Sequence, residues 1–343
     1  MSFQDILGHK RPISILQRAI ERGRVPSTYL FVGPEGIGKK LVALNLAKAL
    51  NCNGGVGADC CDSCIPCRKV DKGIHPDVNL IGPEGTSLKI EQAREAQRDL
   101  SLKPYEGRKK VYIFDQAERM SEACENALLK TLEEPTPDAL LILITSSPYS
   151  LLPTILSRTQ RVRFNALATE EVALYLMKTR SWGSEMSHYI ASLSGGSLGR
   201  ALGKDPEALF RLRGEVLRDH SAALRGRTSI VLDLAEAWAK EKDRLSERME
   251  CLTIWVRDLK AYQSTQREGL LVNFDLADRV REEANLFPSG VLSQFFEIVQ
   301  ETTRGLARYA NARLSLENMW IRMRRALQER EGMICAEYRE DQI

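Results

Sequence analysis

A chain of 343 residues suffices for about two or three domains, and 43% hydrophobic with 28% charged residues is the balance of an ordinary globular protein. A net charge of +3 is too small to mark a nucleic-acid binder by charge alone, and no apolar run is long enough to cross a bilayer. Met1-Ser2-Phe3-Gln4-Asp5 carries no basic-then-apolar signal pattern, so a cytoplasmic protein is expected, in which eight cysteines read as metal ligands or thiols in preference to disulfides.

A helix is expected over 3–21, entered through Ile6-Leu7-Gly8-His9, with Ile13, Leu16, Ala19 and Ile20 at helical spacing. His9 reads either as a residue facing a bound adenine or as a surface or capping residue. Tyr29 to Val32 is a buried-type strand running into Gly33-Pro34-Glu35-Gly36-Ile37-Gly38-Lys39-Lys40, with a helix over 40–50 behind it. Strand, glycine-rich turn and helix are the context of a phosphate-binding loop. Glycines let the backbone N–H groups turn inward, the helix N-terminus adds positive partial charge, and Lys39 reaches outer phosphates. The last position of that motif needs a hydroxyl to hold Mg²⁺; here it is Lys40, and an ammonium ligates no cation. Mg²⁺-ATP binding is therefore left open.

Cysteines follow as Cys52-x8-Cys61-x2-Cys64-x2-Cys67. The short gaps let thiolates converge, and the glycine-rich stretch between Cys52 and Cys61 lets Cys52 swing in, so a closed structural zinc site is expected. Arg68, Lys69 and Lys72 stand ready to offset its charge, and Cys60 is an alternative to Cys61.

His75 to Ile81 opens a strand, 89–100 is a helix, and Lys110-Val111-Tyr112-Ile113-Phe114-Asp115 is a strand ending in an acid, the Walker B pattern. The next residue is Gln116, which cannot take a proton from water as a glutamate would, and Glu118 is a poor geometric substitute. A helix over 121–132 precedes a strand over 140–145, where Thr145, Ser146 and Ser147 either contact a γ-phosphate or cap the turn at Pro148. Leu151 to Leu156 leads to Ser157-Arg158-Thr159, and Val162-Arg163-Phe164 closes the sheet. This alternation argues an α/β domain with a mostly parallel sheet covered on both faces. From Thr169 strands give way to amphipathic helices, with Ser197 placed to cap the helix of Arg200 and breaks near Gly226 and Pro288. Trp238, Trp255, Phe295 and Phe296 read as helical core.

Three stretches carry a more specific resemblance: His75-Pro76-Asp77, Asn126-Ala127-Leu128-Leu129-Lys130-Thr131-Leu132-Glu133-Glu134-Pro135, and Leu152-Pro153-Thr154-Ile155-Leu156-Ser157-Arg158. With the cysteine spacing, they resemble bacterial clamp-loader subunits of the AAA+ superfamily. The altered Walker residues look like the delta-prime branch of DNA polymerase III subunits, in contrast to the ATP-hydrolysing gamma/tau branch. Beyond Arg225 only Asn311 to Glu317 looks like the family's collar.

The resemblance implies a five-subunit hetero-oligomer with gamma/tau and delta that uses ATP to load a sliding clamp on primed DNA. It implies that Arg158, in a Ser157-Arg158-Thr159 that has Thr where the family motif has Cys, enters a neighbour's ATP site as an arginine finger, and that Arg200 matches a sensor of the chain's own nucleotide; the alternative for Arg158 is a surface arginine pairing with a nearby carboxylate. The expected organisation is an AAA+ domain over 1–165 with a zinc module near 52–67, a helical lid over 166–225, an all-α collar over 226–330 and a polar tail over 331–343. Arg94, Arg98, Lys103, Arg108, Lys109 and Lys110 read either as a phosphate-contacting face or as a solvated one. The expected function is a largely non-hydrolysing stator. Its rivals are an active AAA+ ATPase motor and a free-standing zinc-containing DNA-binding protein.

Overall fold

A computed structural model describes residues 2–54, 57–308 and 310–340, with side chains through 328. The chain forms two compact units: Met1–Val172 with Ser194–Leu202, and Ala173–Leu193 with Gly203–Ile343. Helices expected as a separate lid over 166–225 are thus divided between the two units.

The first unit is a five-stranded sheet in the order β2-β3-β4-β1-β5, built from β1 (Thr28–Val32), β2 (Val78–Ile81), β3 (Lys110–Phe114), β4 (Ala139–Thr145) and β5 (Gln160–Arg163). Every neighbouring pair of strands runs parallel. Its helices are α1 (Lys10–Glu21), α2 (Lys39–Asn51), α3 (Ile65–Asp71), α4 (Ile90–Leu100), α5 (Glu122–Glu133) and α6 (Pro153–Arg158). Strands buried on both faces are near-continuous apolar runs, as a parallel sheet requires. Successive residues still divide between faces. Tyr29, Phe31, Val111, Ile113, Ile142 and Ile144 pack with α1 and α2, while Leu30, Tyr112, Phe114, Leu141 and Leu143 pack with α4, α5 and α6. Parallel strands aligned this way bring the residues just past β1, β3 and β4 to one edge, where α/β sheets hold ligands.

His75-Pro76-Asp77 has a clear structural task. The buried Asp77 carboxylate accepts the backbone N–H groups of Tyr105 (2.6 Å), Glu106 (2.8 Å) and Gly107 (2.7 Å). Asn51 Oδ1 accepts the next two, from Arg108 at 2.7 Å and Lys109 at 2.9 Å. Together they fix the turn that launches β3. Burial alone would raise the Asp77 carboxyl; the three N–H donors outweigh it and hold the carboxyl below its usual range. A depressed carboxyl contributes stability that is present above its unfolded value and lost as pH falls through the folded one. Asp77→Ala is therefore expected to cost about 3 kcal/mol at pH 7, the scale of stranding buried donors that had a charged acceptor. In urea titrations the deficit should begin to shrink below about pH 4, the unfolded carboxyl's value, and close as pH falls through the lower folded value. A deficit that does not change with pH would contradict this role.

The second unit carries the later part of α7 (Thr169–Arg180), then α8 (Ser184–Leu193) and, after α9 (Leu198–Leu202) of the first unit, α10 (Pro206–Arg225) through α15. These are α11 (Thr228–Lys240), α12 (Lys242–Thr265), α13 (Ala277–Leu286), α14 (Val291–Ala307) and α15 (Ala312–Glu340). The breaks at Gly226 and Pro288 fall between helices, as expected. Residues 331–340 of the expected tail continue α15, and 341–343 lie outside the described residues. α12 is the spine, packed by α8, α10, α13 and α14. Trp238, Trp255 and Phe295 are buried, Trp238 meeting Trp320 edge-on, while Phe296 is half-buried beneath the Lys260 ammonium.

Candidate nucleotide site and metal centre

Gly33 follows β1 and binds back to the sheet, its N–H donating to Thr145 O at 3.1 Å. Gly36 (φ +73°) and Gly38 (φ +108°) take left-handed backbone that side chains resist, and Gly38 caps α2. The loop encloses a cavity of about 480 Å³ with Glu35, Lys39, Lys40, Asp115, Gln116 and Ser146 among its walls. That volume lies in the usual range for small-molecule sites. The phosphate-loop shape is present.

Its charges are spent internally. The Lys39 ammonium donates to Gly33 O and Pro34 O, both at 2.5 Å. Burial lowers its pKa, against the pull of Glu118, Asp115 and Glu35. Lys40 Nζ lies 3.4 Å from Asp115 Oδ2. Mg²⁺ demands near-octahedral oxygen ligands at about 2.1 Å. An acid already facing an ammonium, with no hydroxyl at the loop's end, does not fit that ion. Gln116 stands beside Asp115 in left-handed backbone, φ +57°. Glu118 accepts from Ser146 Oγ at 2.5 Å and from its N–H at 3.3 Å. Burial would raise the Glu118 carboxyl, but hydrogen bonds led by Ser146 keep it below the usual range. Thr145 is buried and its Oγ1 accepts the Ser147 N–H at 3.0 Å, which is the turn-capping arrangement.

His9 belongs to the loop's support. Its Nε2 donates to Ile37 O at 2.7 Å, and its ring meets Phe164 edge-on at 5.2 Å. The Gly199 N–H donates to Gly36 O at 2.9 Å, seating α9 on the loop. Ser197 Oγ accepts the Arg200 N–H at 3.2 Å, the expected cap. Arg200 itself is exposed.

The four expected cysteines converge: the sulfurs of Cys52, Cys61, Cys64 and Cys67 all lie within 4.8 Å of one another. Cys52 Sγ is 3.4 Å from Cys61 Sγ and 3.8 Å from Cys64 Sγ. A tetrahedron with metal–sulfur bonds of about 2.3 Å has edges near 3.8 Å, so four thiolates here fit one zinc-like ion. Cys60 packs against the cluster but is not one of its four converging sulfurs; its Sγ lies 3.4 Å from Asp62 Oδ1, and burial pushes its thiol up to about 12. Backbone N–H groups supply part of the offsetting charge: those of Cys61 and Cys64 donate to Cys52 Sγ and Cys61 Sγ, both at 3.4 Å. Lys69, expected in that role, instead pairs with Glu106 at 2.5 Å.

Arg158 ends α6. Its guanidinium meets Glu133 Oε1 at 2.9 Å and donates to Thr154 O at 3.1 Å. Two of the six basic residues considered for a phosphate face are committed elsewhere. Lys110 is buried and donates to Asp99 Oδ1 at 2.8 Å, and Lys109 pairs with Asp138 at 3.4 Å.

A family model described as DNA polymerase III, delta subunit, matches residues 8–168, and one described as DNA polymerase III, delta subunit, C terminal, matches 208–325. The DNA polymerase III subunit delta' of Bacillus subtilis is 30% identical over 80% of this chain and 83% of its own length. This chain belongs to the delta-prime family of DNA polymerase III subunits. The tau subunit of Escherichia coli is 33% identical over 66% of this chain, a stretch that is 36% of tau. A solved gamma subunit-related protein of Thermotoga maritima covers 92% of this chain and 99% of its own, at 21% identity and a TM-score of 0.43.

Sequence reading missed two carboxylates of this delta-prime chain. Glu125 is buried, burial raises its carboxyl, and it accepts the Leu152 N–H at 2.7 Å, anchoring the entry to α6. Glu133 holds Arg158. Both sit in the Asn126–Pro135 neighbourhood that carried the resemblance, but nothing in their spacing names their partners.

Proposed function

We propose that this chain is a largely non-hydrolysing delta-prime subunit of a DNA polymerase III clamp loader. It would assemble with gamma/tau and delta subunits, help load a sliding clamp on primed DNA, and lend Arg158 to a neighbour's ATP site. The lid over 166–225 and collar over 226–330 belong to this reading, as does structural zinc on Cys52, Cys61, Cys64 and Cys67.

One observation carries it: the Lys40 ammonium faces Asp115, with Gln116 where a water-polarising carboxylate is needed. Asp115 is thus occupied by a tethered cation, and the position after it has no carboxylate to take a proton from water. The test is phosphate release from ATP by the isolated chain. The expected result is turnover indistinguishable from a Lys39→Ala variant. Turnover of about 1 s⁻¹ or more, abolished by Lys39→Ala, would instead establish a motor subunit. The engagement of Lys109 and Lys110 with acids weighs against the free-standing DNA-binding reading.

A further inference from the structure

The pocket beside β1 keeps its shape while its charges are rearranged. Its cavity of about 480 Å³ is open, and Gly36 and Gly38 hold the curl that a phosphate loop needs. Gln116 bears on hydrolysis; Lys40 is the departure that bears on the metal. Its ammonium stands 3.4 Å from Asp115 Oδ2, the strand-end carboxylate on which a divalent ion would rest. A dication brought to Asp115 would meet a positive charge at contact distance. The lysine stem is half exposed and anchored on α2 next to the loop, so its charge cannot diffuse away as a free counter-ion would.

We propose that Lys40 sets the metal selectivity of this pocket. It is a tethered cation seated on Asp115 that bars Mg²⁺, so Mg²⁺ adds nothing to any nucleotide binding here. The proposal rests on the non-hydrolysing reading and gives its cause: charge substitution, with the shape of the site intact. One residue then separates this pocket from a magnesium-nucleotide site. Lys40→Ser removes the ammonium, frees Asp115 and supplies the hydroxyl that the motif otherwise has at that position.

The experiment is titration of the full chain with ATP by calorimetry, in excess Mg²⁺ and in EDTA, for the parental protein, Lys40→Ser, and Lys40→Ser with Lys39→Ala. Phosphate release is followed on the same samples. The parental chain is expected to show the same ATP response in both buffers, including none in either. Lys40→Ser is expected to bind ATP at least about ten-fold more tightly with Mg²⁺ than without, a gain that the added Lys39→Ala removes. The proposal is overturned if Mg²⁺ tightens parental binding, if Lys40→Ser gains nothing from Mg²⁺, or if its gain survives Lys39→Ala. Because the decisive result is a gain, misfolding cannot imitate it. The two readings fail separately. Parental phosphate release would overturn the non-hydrolysing function, whereas a magnesium-indifferent Lys40→Ser without turnover would overturn only the role of Lys40.

Discussion

Arg158→Ala is expected to leave the isolated chain folded and able to assemble, and to slow ATP cleavage at one site of the assembled clamp loader by about 10³-fold or more, the scale of an arginine supplied in trans. The side chain is over a third exposed and its partner Glu133 about half. An exposed pair of this kind contributes at most about 1 kcal/mol to folding, so stability does not account for the residue. Its helix is better secured than its side chain: Ile155 is fully buried, and Glu125 fixes the Leu152 N–H at the start of α6. A rigid mount under a weakly held guanidinium suits a group that must leave Glu133 to reach another subunit. Arg158→Lys should fail to rescue, because a point charge cannot reproduce the planar fork on a transferring phosphoryl group. Glu133→Gln should retain cleavage, since it only releases the arginine. The measurement is DNA-stimulated ATPase of a reconstituted complex whose assembly is checked by size-exclusion chromatography. Unchanged rates in a fully assembled Arg158→Ala complex would take the residue out of this role.

The sheet and its flanking helices were legible because their signals are local. Buried strands such as Leu140 to Thr145 and the glycine turn before Lys39 declare themselves within a few residues. The cysteine cluster was legible for the same reason, since its spacing constrains where the sulfurs can go. What could not be read is the pairing of groups distant in sequence. Lys40 was visible as a missing hydroxyl, but its seat on Asp115 depends on β1 and β3 ending at one edge of the sheet. Lys109 and Lys110 looked like two more members of a basic run, yet the second is buried on Asp99. In the sequence Asp77 is legible only as part of a resembling motif, because the three N–H groups that donate to its carboxylate lie on a turn 28 to 30 residues away. Charge in a sequence says that a group needs a partner or water; only the fold says which.

Cys61→Ser is expected to bind no metal, while the parental chain and Cys60→Ser are each expected to bind one. Spacing alone cannot separate these adjacent thiols, and the geometry does: Cys61 shares the cluster with Cys52, Cys64 and Cys67, whereas Cys60 turns to Asp62. Elemental analysis should find about one zinc per chain in the parental protein and in Cys60→Ser. Chelation should unfold the module, because the apolar contribution available to it is small. Among the described residues of its segment, Val70 of α3 is the one beyond the cysteines that joins the main core. A closed thiolate site of this kind supplies on the order of 10 kcal/mol of apparent binding energy, which the module cannot replace. The loss should stay local. The far face of the sheet is a separate cluster, and the module is tied to the rest of the unit through Val70, the buried Lys48 of α2 paired with Asp62 and Asp71, and the Phe3 N–H on Asp59 at 3.1 Å. Thiol titration after chelation should therefore expose Cys52, Cys61, Cys64 and Cys67 together while the far-UV dichroism of the helices changes little. Metal retained by Cys61→Ser, or a parental chain that folds with these thiols protected and no metal bound, would refute the assignment.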